Sequence, residues 1–404
     1  MNAGGALAAH VATSQGFMFE LSPLTWIVGI AALVIGILAG HFGWGRRWPP
    51  PLSRLHPDYL TGLDYLVTEQ PDRALDMFLR LMEANADTIE THFSLGSLYR
   101  RRGEVERAIR IHQNLLARES LAPEHREQAL LALAQDYLRA GLLDRAEVLF
   151  QQVSEVPRLR VSALDALRGV YERQLEWQQA LNVYRLLART KAAPPRVVSA
   201  HYLCELAGVA MERGDSVTAR RLLREARAEV SPFPRAAVLR ARIAERDGDV
   251  GLAVGLLRTA LHEAPKLMQE ELPHLLRLVA SEDREAVLTE LVKRAESYDR
   301  GAPKRLVFAS LSAGLTDAAP LRALIERVFA DDPTLRAVWT SDSGRLEGGQ
   351  RDARRAAHDI GALLAHAENY RCLECGFSGR NFYWHCPACH AWDSFEPYAI
   401  VKLG

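Results

Sequence analysis

The chain carries no net charge: 50 basic side chains are balanced by 50 acidic ones across 404 residues. That balance excludes the overall basic footprint of a nucleic-acid binder. Catalytic signatures are missing too. No G-x-S-x-G elbow, no G-x-x-x-x-G-K-S/T loop and no H-E-x-x-H pair occurs, so neither an activated serine, a phosphate cradle nor a hydrolytic zinc site is expected. The 13 histidines are scattered, and the chain reads as a non-enzyme. Lysine and arginine are absent from residues 1–45, and up to residue 371 there is one cysteine, Cys204. Against that scarcity, the places where basic residues and cysteines do cluster are informative.

Leu24 to Phe42 runs nineteen positions without Asp, Glu, Lys or Arg. As a helix it would be about 28 Å long, close to the hydrocarbon thickness of a bilayer. Arg46, Arg47 and Arg54 come after it, whereas a cleaved signal peptide would carry its basic residues in front. The positive-inside rule then predicts a single-pass helix over 24–42, a short external segment 1–23, and a cytoplasmic bulk. Trp26, Trp44 and Trp48 stand at the two ends of the run, where amphipathic rings favour the interface. Gly36 and Gly40 have the G-x-x-x-G spacing of a helix-packing face. A homodimer through that face is one expectation, and glycine's ordinary abundance in membrane helices is the plainer account. Residues 43–54, with Pro49, Pro50 and Pro51, read as a stiff linker.

The remaining cysteines come as Cys372-x2-Cys375-x10-Cys386-x2-Cys389. Two thiolates on each of two tight turns suit one tetrahedral S4 metal site, with Gly376 and Pro387 as turn residues. A reducing cytoplasm disfavours the alternative, disulfides. The expected occupant is one zinc or iron ion, with zinc favoured because no second redox centre accompanies it. His385 and His390 flank the second pair, but four thiolates already complete the tetrahedron. Cys204 falls inside a helical pattern and reads as a small buried residue.

Between the ends the chain repeats. Segments starting at residues 55, 89, 127, 161, 200 and 234 share Ala74, Ala108, Ala146, Ala180, Ala219 and Ala253 at their twentieth position. Their eleventh is Tyr65, Tyr99, Tyr137, Tyr171, Ala210 and Ala244, and their twenty-fourth Phe78, His112, Phe150, Tyr184, Leu223 and Leu257. Gly103, Gly141, Gly214 and Gly248 stand at the fifteenth, where a first helix would end. This resembles the tetratricopeptide pattern of two antiparallel helices per ~34 residues. The fold expected is all-α, a tetratricopeptide superhelical solenoid over 55–266. Degenerate helical hairpins are expected over 267–368, with Pro303, Pro320 and Pro333 near the joints, and a small metal-knuckle domain over 369–404. Solenoids bind partners along an inner face. First-helix positions expected there are Phe93, Ser97, Arg100 and Arg101 in the second repeat, Gln128 and Gln135 in the third, and His201 in the fifth. The run Arg100–Arg102 also suits a helix C-terminus. Tyr383, Trp384, Trp392 and Phe395 are more aromatic surface than about 30 residues bury alone, so the small domain is expected to dock on the array; the plainer alternative is that these rings form the module's own small core.

The segments 100–116 (RRRGEVERAIRIHQNLL), 201–207 (HYLCELA) and 370–392 (YRCLECGF…YWHCPACHAW) resemble the lipopolysaccharide assembly protein B family. The order of anchor, tetratricopeptide array and rubredoxin-like knuckles covers almost the whole chain. The resemblance implies an inner-membrane, cytoplasm-facing adaptor that brings the lipid A deacetylase LpxC to the membrane AAA+ protease FtsH, with feedback from lipopolysaccharide. It implies contact with other membrane proteins of that pathway as well. It makes Cys372, Cys375, Cys386 and Cys389 the metal ligands. The first ~20 residues and the proline triplet are longer than the family's usual start.

Overall fold

The computed structural model describes residues 57–397 apart from 69, 85–88, 191, 193, 299–300, 313–314, 316–318 and 332–369. The apolar run 24–42, its flanking arginines and tryptophans, the loop near 342–352 and the segment leading into Tyr370 lie outside the described residues. Among the described residues no helix is long and apolar enough to cross a membrane.

Two compact units divide at Thr91. In the first, α1 (Pro57–Val67) packs on α2 (Pro71–Ala84). Gly62 is required there, because a Cβ would stand 2.8 Å from the Phe78 ring. The second unit takes in most of α3 (Ile89–Arg101) and continues with α4 (Val105–Leu116), α5 (Pro123–Arg139), α6 (Leu143–Ser154), α7 (Arg160–Gln174) and α8 (Trp177–Leu187). Then come α9 (Arg196–Glu212), α10 (Ser216–Glu229), α11 (Pro234–Arg246) and α12 (Val250–Glu263). Odd-numbered helices are the first of each repeat and even-numbered ones the second. The pairs α5–α6, α7–α8, α9–α10 and α11–α12 each pack together, as do successive pairs, giving a helical tetratricopeptide solenoid.

The repeat positions explain the hairpins. All six alanines at the twentieth position are 0% exposed, so any larger side chain would force the paired helices apart. The residue at the twenty-fourth position is buried in every repeat. Gly103, Gly141, Gly214 and Gly248 all end their first helix at positive φ, between 76° and 82°. In the fourth repeat Leu175 occupies this position at φ 59°, a left-handed conformation costly for a side chain with a Cβ. Asp215 and Asp249 follow two of the glycines and cap α10 and α12, accepting from the amides of Thr218 (2.9 Å) and Leu252 (3.0 Å). A cation–π pair recurs as well: Arg73 lies over Tyr65, Arg107 over Tyr99 and Arg145 over Tyr137, each guanidinium 5.5–5.9 Å from the ring centre.

Beyond a 3-10 turn at Pro265–Leu267, α13 (Met268–Leu278), α14 (Arg284–Tyr298), α15 (Ala302–Ser312) and α16 (Ala319–Asp331) depart from simple stacking. Here α15 packs on α13, α14 and α16, and α16 also reaches α14, which makes a cluster rather than a ladder. Pro303 and Pro320 each sit second in their helix, where the missing amide costs nothing. Pro333 is outside the described residues.

Candidate metal module and the face it covers

Residues 370–397 build a three-stranded antiparallel sheet in the order β2-β1-β3, with β1 Tyr370–Cys372, β2 Ser378–Gly379 and β3 Phe395–Pro397. Two knuckles of matching geometry face each other. In the first, the Cys372 amide donates to Phe377 O (2.8 Å) and the Gly376 amide to Cys372 O (3.0 Å). In the second, the Cys386 amide donates to Ala391 O (2.9 Å) and the His390 amide to Cys386 O (2.9 Å). Gly376 and His390 are therefore equivalent, both just past the second cysteine of their pair and both at positive φ, 77° and 61°. The position of His390 is that of a turn residue.

The four thiol sulfurs lie within 4.8 Å of one another, and neither flanking histidine joins the group. Cys372 and Cys389 Sγ are 3.7 Å apart, Cys375 and Cys386 Sγ 3.8 Å. A tetrahedral site with metal–sulfur bonds of about 2.3 Å needs sulfurs about 3.8 Å apart, so the donor set fits one zinc or iron ion. A disulfide at ~2.05 Å does not fit. The metal would replace the large core that so small a module lacks.

The module does not stand free. Trp392 lies between His201 of α9 (ring centres 4.7 Å, 18°) and its own His385 (4.2 Å, 21°), a three-ring stack. Trp177 and Tyr202 meet the same indole edge-on, each at 5.8 Å. The Trp392 indole N–H donates to Glu172 Oε1 (3.0 Å), which also accepts from Tyr202 OH (2.5 Å) and Arg168 Nη1 (2.8 Å). Arg235 places its guanidinium 5.7 Å from both Trp384 and Trp392 while pairing with Glu205 (2.7 Å). At the far edge Lys266 pairs with Asp393 (2.8 Å) and Glu396 (3.2 Å), and the Phe382 amide donates to Glu270 (3.4 Å). These contacts between module and array span Glu172 to Glu270.

Burial sets the electrostatics here. Desolvation, with the Arg235, His385 and Lys266 charges next, pushes the His201 imidazole down to about 2, so it stacks as a neutral ring. Desolvation and the adjacent Glu172 carboxylate raise Tyr202 above the usual phenol range. Burial also lowers Lys266, but its two carboxylate partners outweigh that and its ammonium is held above the ordinary value. Cys204 is pushed up to about 12 by burial, an unreactive thiol as the helical pattern suggested.

The expected face residues divide. His201 is no open contact: it is 0% exposed beneath Trp392. The reason is that the docked module takes the space over its helix. Arg100 turns inward to Asp136 (2.6 Å), which is 0% exposed and also holds His112 Nδ1 (2.5 Å). That is a structural tie and not a free cation. Ser97 is half-buried with its hydroxyl 3.5 Å from Arg100 Nη2, and Phe93 is half-buried against the His112 ring at 6.1 Å. Gln135 is half-buried, while Arg101 and Gln128 are exposed. Of the aromatic four, Trp384 and Trp392 join the array, whereas Phe395 is 0% exposed within the module and packs against Tyr383 at 5.5 Å. Sequence reasoning missed Glu172, Arg235 and Lys266. A glutamate among the apolar residues of α7 was the available signal for the first.

Residues 370–397 match the family model described as rubredoxin metal binding domain, and 91–127 and 204–267 match tetratricopeptide repeat models. Lipopolysaccharide assembly protein B of Escherichia coli K12 is 33% identical over 372 residues, covering 89% of this chain and 96% of that one. The protein of the same name from Haemophilus influenzae is 29% identical over 384 residues with the same coverage. Among solved structures, the C-terminal part of a TPR repeat-containing protein from Cytophaga hutchinsonii aligns at TM-score 0.39 and 12% identity, over 68% of this chain and 96% of that one. MamA aligns at TM-score 0.33 and 17% identity, over 42% and 93%.

Proposed function

The chain belongs to the lipopolysaccharide assembly protein B family, and from that membership we propose that it is a membrane-anchored, non-enzymatic adaptor in control of lipopolysaccharide synthesis. It holds the deacetylase LpxC and the protease FtsH together at the cytoplasmic side of the bacterial inner membrane, and lipopolysaccharide level feeds back on it. An adaptor of this kind works by raising effective concentration, so binding surfaces and tethering are all the chemistry it needs. Cys372, Cys375, Cys386 and Cys389 hold one metal ion, zinc in preference to iron, as a structural staple.

The observation that carries the reading is the division of the first-helix face. The metal module fills it from Glu172 onward. The second and third repeats keep Arg101 and Gln128 exposed, with Phe93 and Gln135 half-exposed, as surface for a client. The test is the cellular half-life of LpxC with the protein present and depleted. A severalfold longer half-life on depletion supports the adaptor. Unchanged turnover with stable co-purification of envelope enzymes would instead make the protein a tethered scaffold for another envelope-biogenesis complex.

A further inference from the structure

The helices α10 and α11 concentrate positive charge in a chain that has none overall. Residues 216–246 contain eight arginines and three glutamates. Five of the eight are tied. Arg220 pairs with Asp247, Arg221 with Glu225 (3.7 Å), Arg235 with Glu205 (2.7 Å) and Arg242 with Glu271 (3.2 Å), while Arg246 donates to Met211 O (3.0 Å). The other three, Arg224, Arg227 and Arg240, form no ion pair or hydrogen bond among the described residues.

These three are neighbours. Arg224 and Arg227 are spaced i, i+3 and share one face of α10. Arg240 comes from α11, which packs directly on α10. Arg240 and Arg227 are half-buried and Arg224 is exposed, so solvent reaches all three. The Arg240 guanidinium is held below its ordinary value, first by desolvation and then by the charges of Arg227 and Arg224. The acids nearby do not relieve this. Glu225 is taken by Arg185 (2.9 Å) and Arg221, and Glu229 pairs with none of the three.

Three unneutralised guanidiniums on adjoining helices repel one another in the free protein, and their forks match tetrahedral oxyanions. One carboxylate neutralises one of them. A phosphate offers up to two charges and three or more acceptor oxygens to all three at once. We propose that Arg224, Arg227 and Arg240, brought together by the packing of α10 on α11, form a binding site for a phosphate-bearing ligand. Neither the metal module nor the residues it covers takes part, so the site stands or falls independently of the adaptor reading. The phosphate belongs either to a lipid headgroup or to a soluble phosphorylated compound.

Calorimetric titration of the full-length protein in detergent tests this, with inorganic pyrophosphate and short-chain phosphatidic acid as probes. Short-chain phosphatidylcholine and polyglutamate serve as controls. The expected result is binding of a phosphate probe that weakens with salt and drops at least tenfold in an R224Q/R227Q variant. R224K/R227K should retain more of it than the glutamine pair. Binding of phosphatidic acid assigns the phosphate to a lipid, and binding of pyrophosphate alone assigns it to a soluble compound. Melting gives a second readout: the phosphate probe should raise the wild-type midpoint but leave R224Q/R227Q unmoved, and the ligand-free variant should melt no lower than wild type. No binding of either phosphate probe, equal binding by R224Q/R227Q, or polyglutamate binding as tightly as phosphate would each overturn the proposal.

Discussion

The second and third repeats and the fourth to sixth are built on one pattern but solve the same problem differently. Both halves place polar groups at the first-helix face, and each must satisfy them. The earlier half does so internally: Asp136, fully buried, binds Arg100 on one oxygen and His112 on the other. Gly96 makes this fit, because a Cβ there would stand 2.5 Å from the His112 ring. The later half leaves Glu172, His201 and Arg235 to be completed by Trp392 and Trp384 of the module. The central ion pair of one half is therefore complete without the module, whereas the polar groups of the other gain their last contacts only when the metal module is folded on it. A face that needs no cover is free for a partner.

The comparison breaks most severely if the metal site is lost. Cys386→Ser, or chelation, removes the folding energy the metal supplies to the module, on the order of 10 kcal/mol. The later repeats then lose their cover, and calorimetry should show the array melting about 5 °C lower or more. Asp136→Asn strikes the earlier half instead. It leaves Arg100 and His112 without their buried anion and should cost about 3 kcal/mol in denaturant unfolding, with docking of the module intact. Trp392→Ala should cost about 2 kcal/mol, a little below the range for a fully buried Trp, and should release the module while the Asp136 tie persists. Proteolysis of the module distinguishes these two variants.

Acid sharpens the contrast. His201 has a folded value of about 2 against 6.5 for a free imidazole. The unfolded or undocked chain therefore binds the extra proton. Stability is full above pH ~6.5 and is lost as pH falls through the window between 6.5 and 2, by up to about 1.4 kcal/mol per pH unit. Arg235, His385 and Lys266 beside His201 add to the penalty. Melting between pH 7.5 and 5.5 should show the docked half loosening first. The smallest effect belongs to Leu175→Gly, which restores the left-handed glycine that the neighbouring repeats have. Leu175 is 64% exposed, so little packing is lost, and a gain of about 1 kcal/mol is expected from chemical denaturation.

Much of this architecture was legible because it rests on local rules. Small residues at the twentieth position and glycines at the fifteenth are demanded by helix packing and by φ, and both recur at the expected places. The doubled cysteine pairs announced the metal knuckles for the same reason. What stayed hidden depends on tertiary neighbours. Nothing in the residues around His201 says that a domain more than 180 positions later will cover it. Arg100 reads as a partner-facing residue because the group it actually pairs with, Asp136, lies one repeat on. Leu175 shows that a rule can be broken at one position while the fold holds. The cation–π pairs of Arg107 with Tyr99 and Arg145 with Tyr137 were readable, since both residues keep fixed repeat positions.

Hydrogen–deuterium exchange on the wild-type protein and Cys386→Ser tests the division of the face most directly. Exchange should rise on α7, α9 and α11, which the module covers, and stay unchanged on α3 and α5. A uniform rise across all five helices, or no rise on any of them, would contradict it.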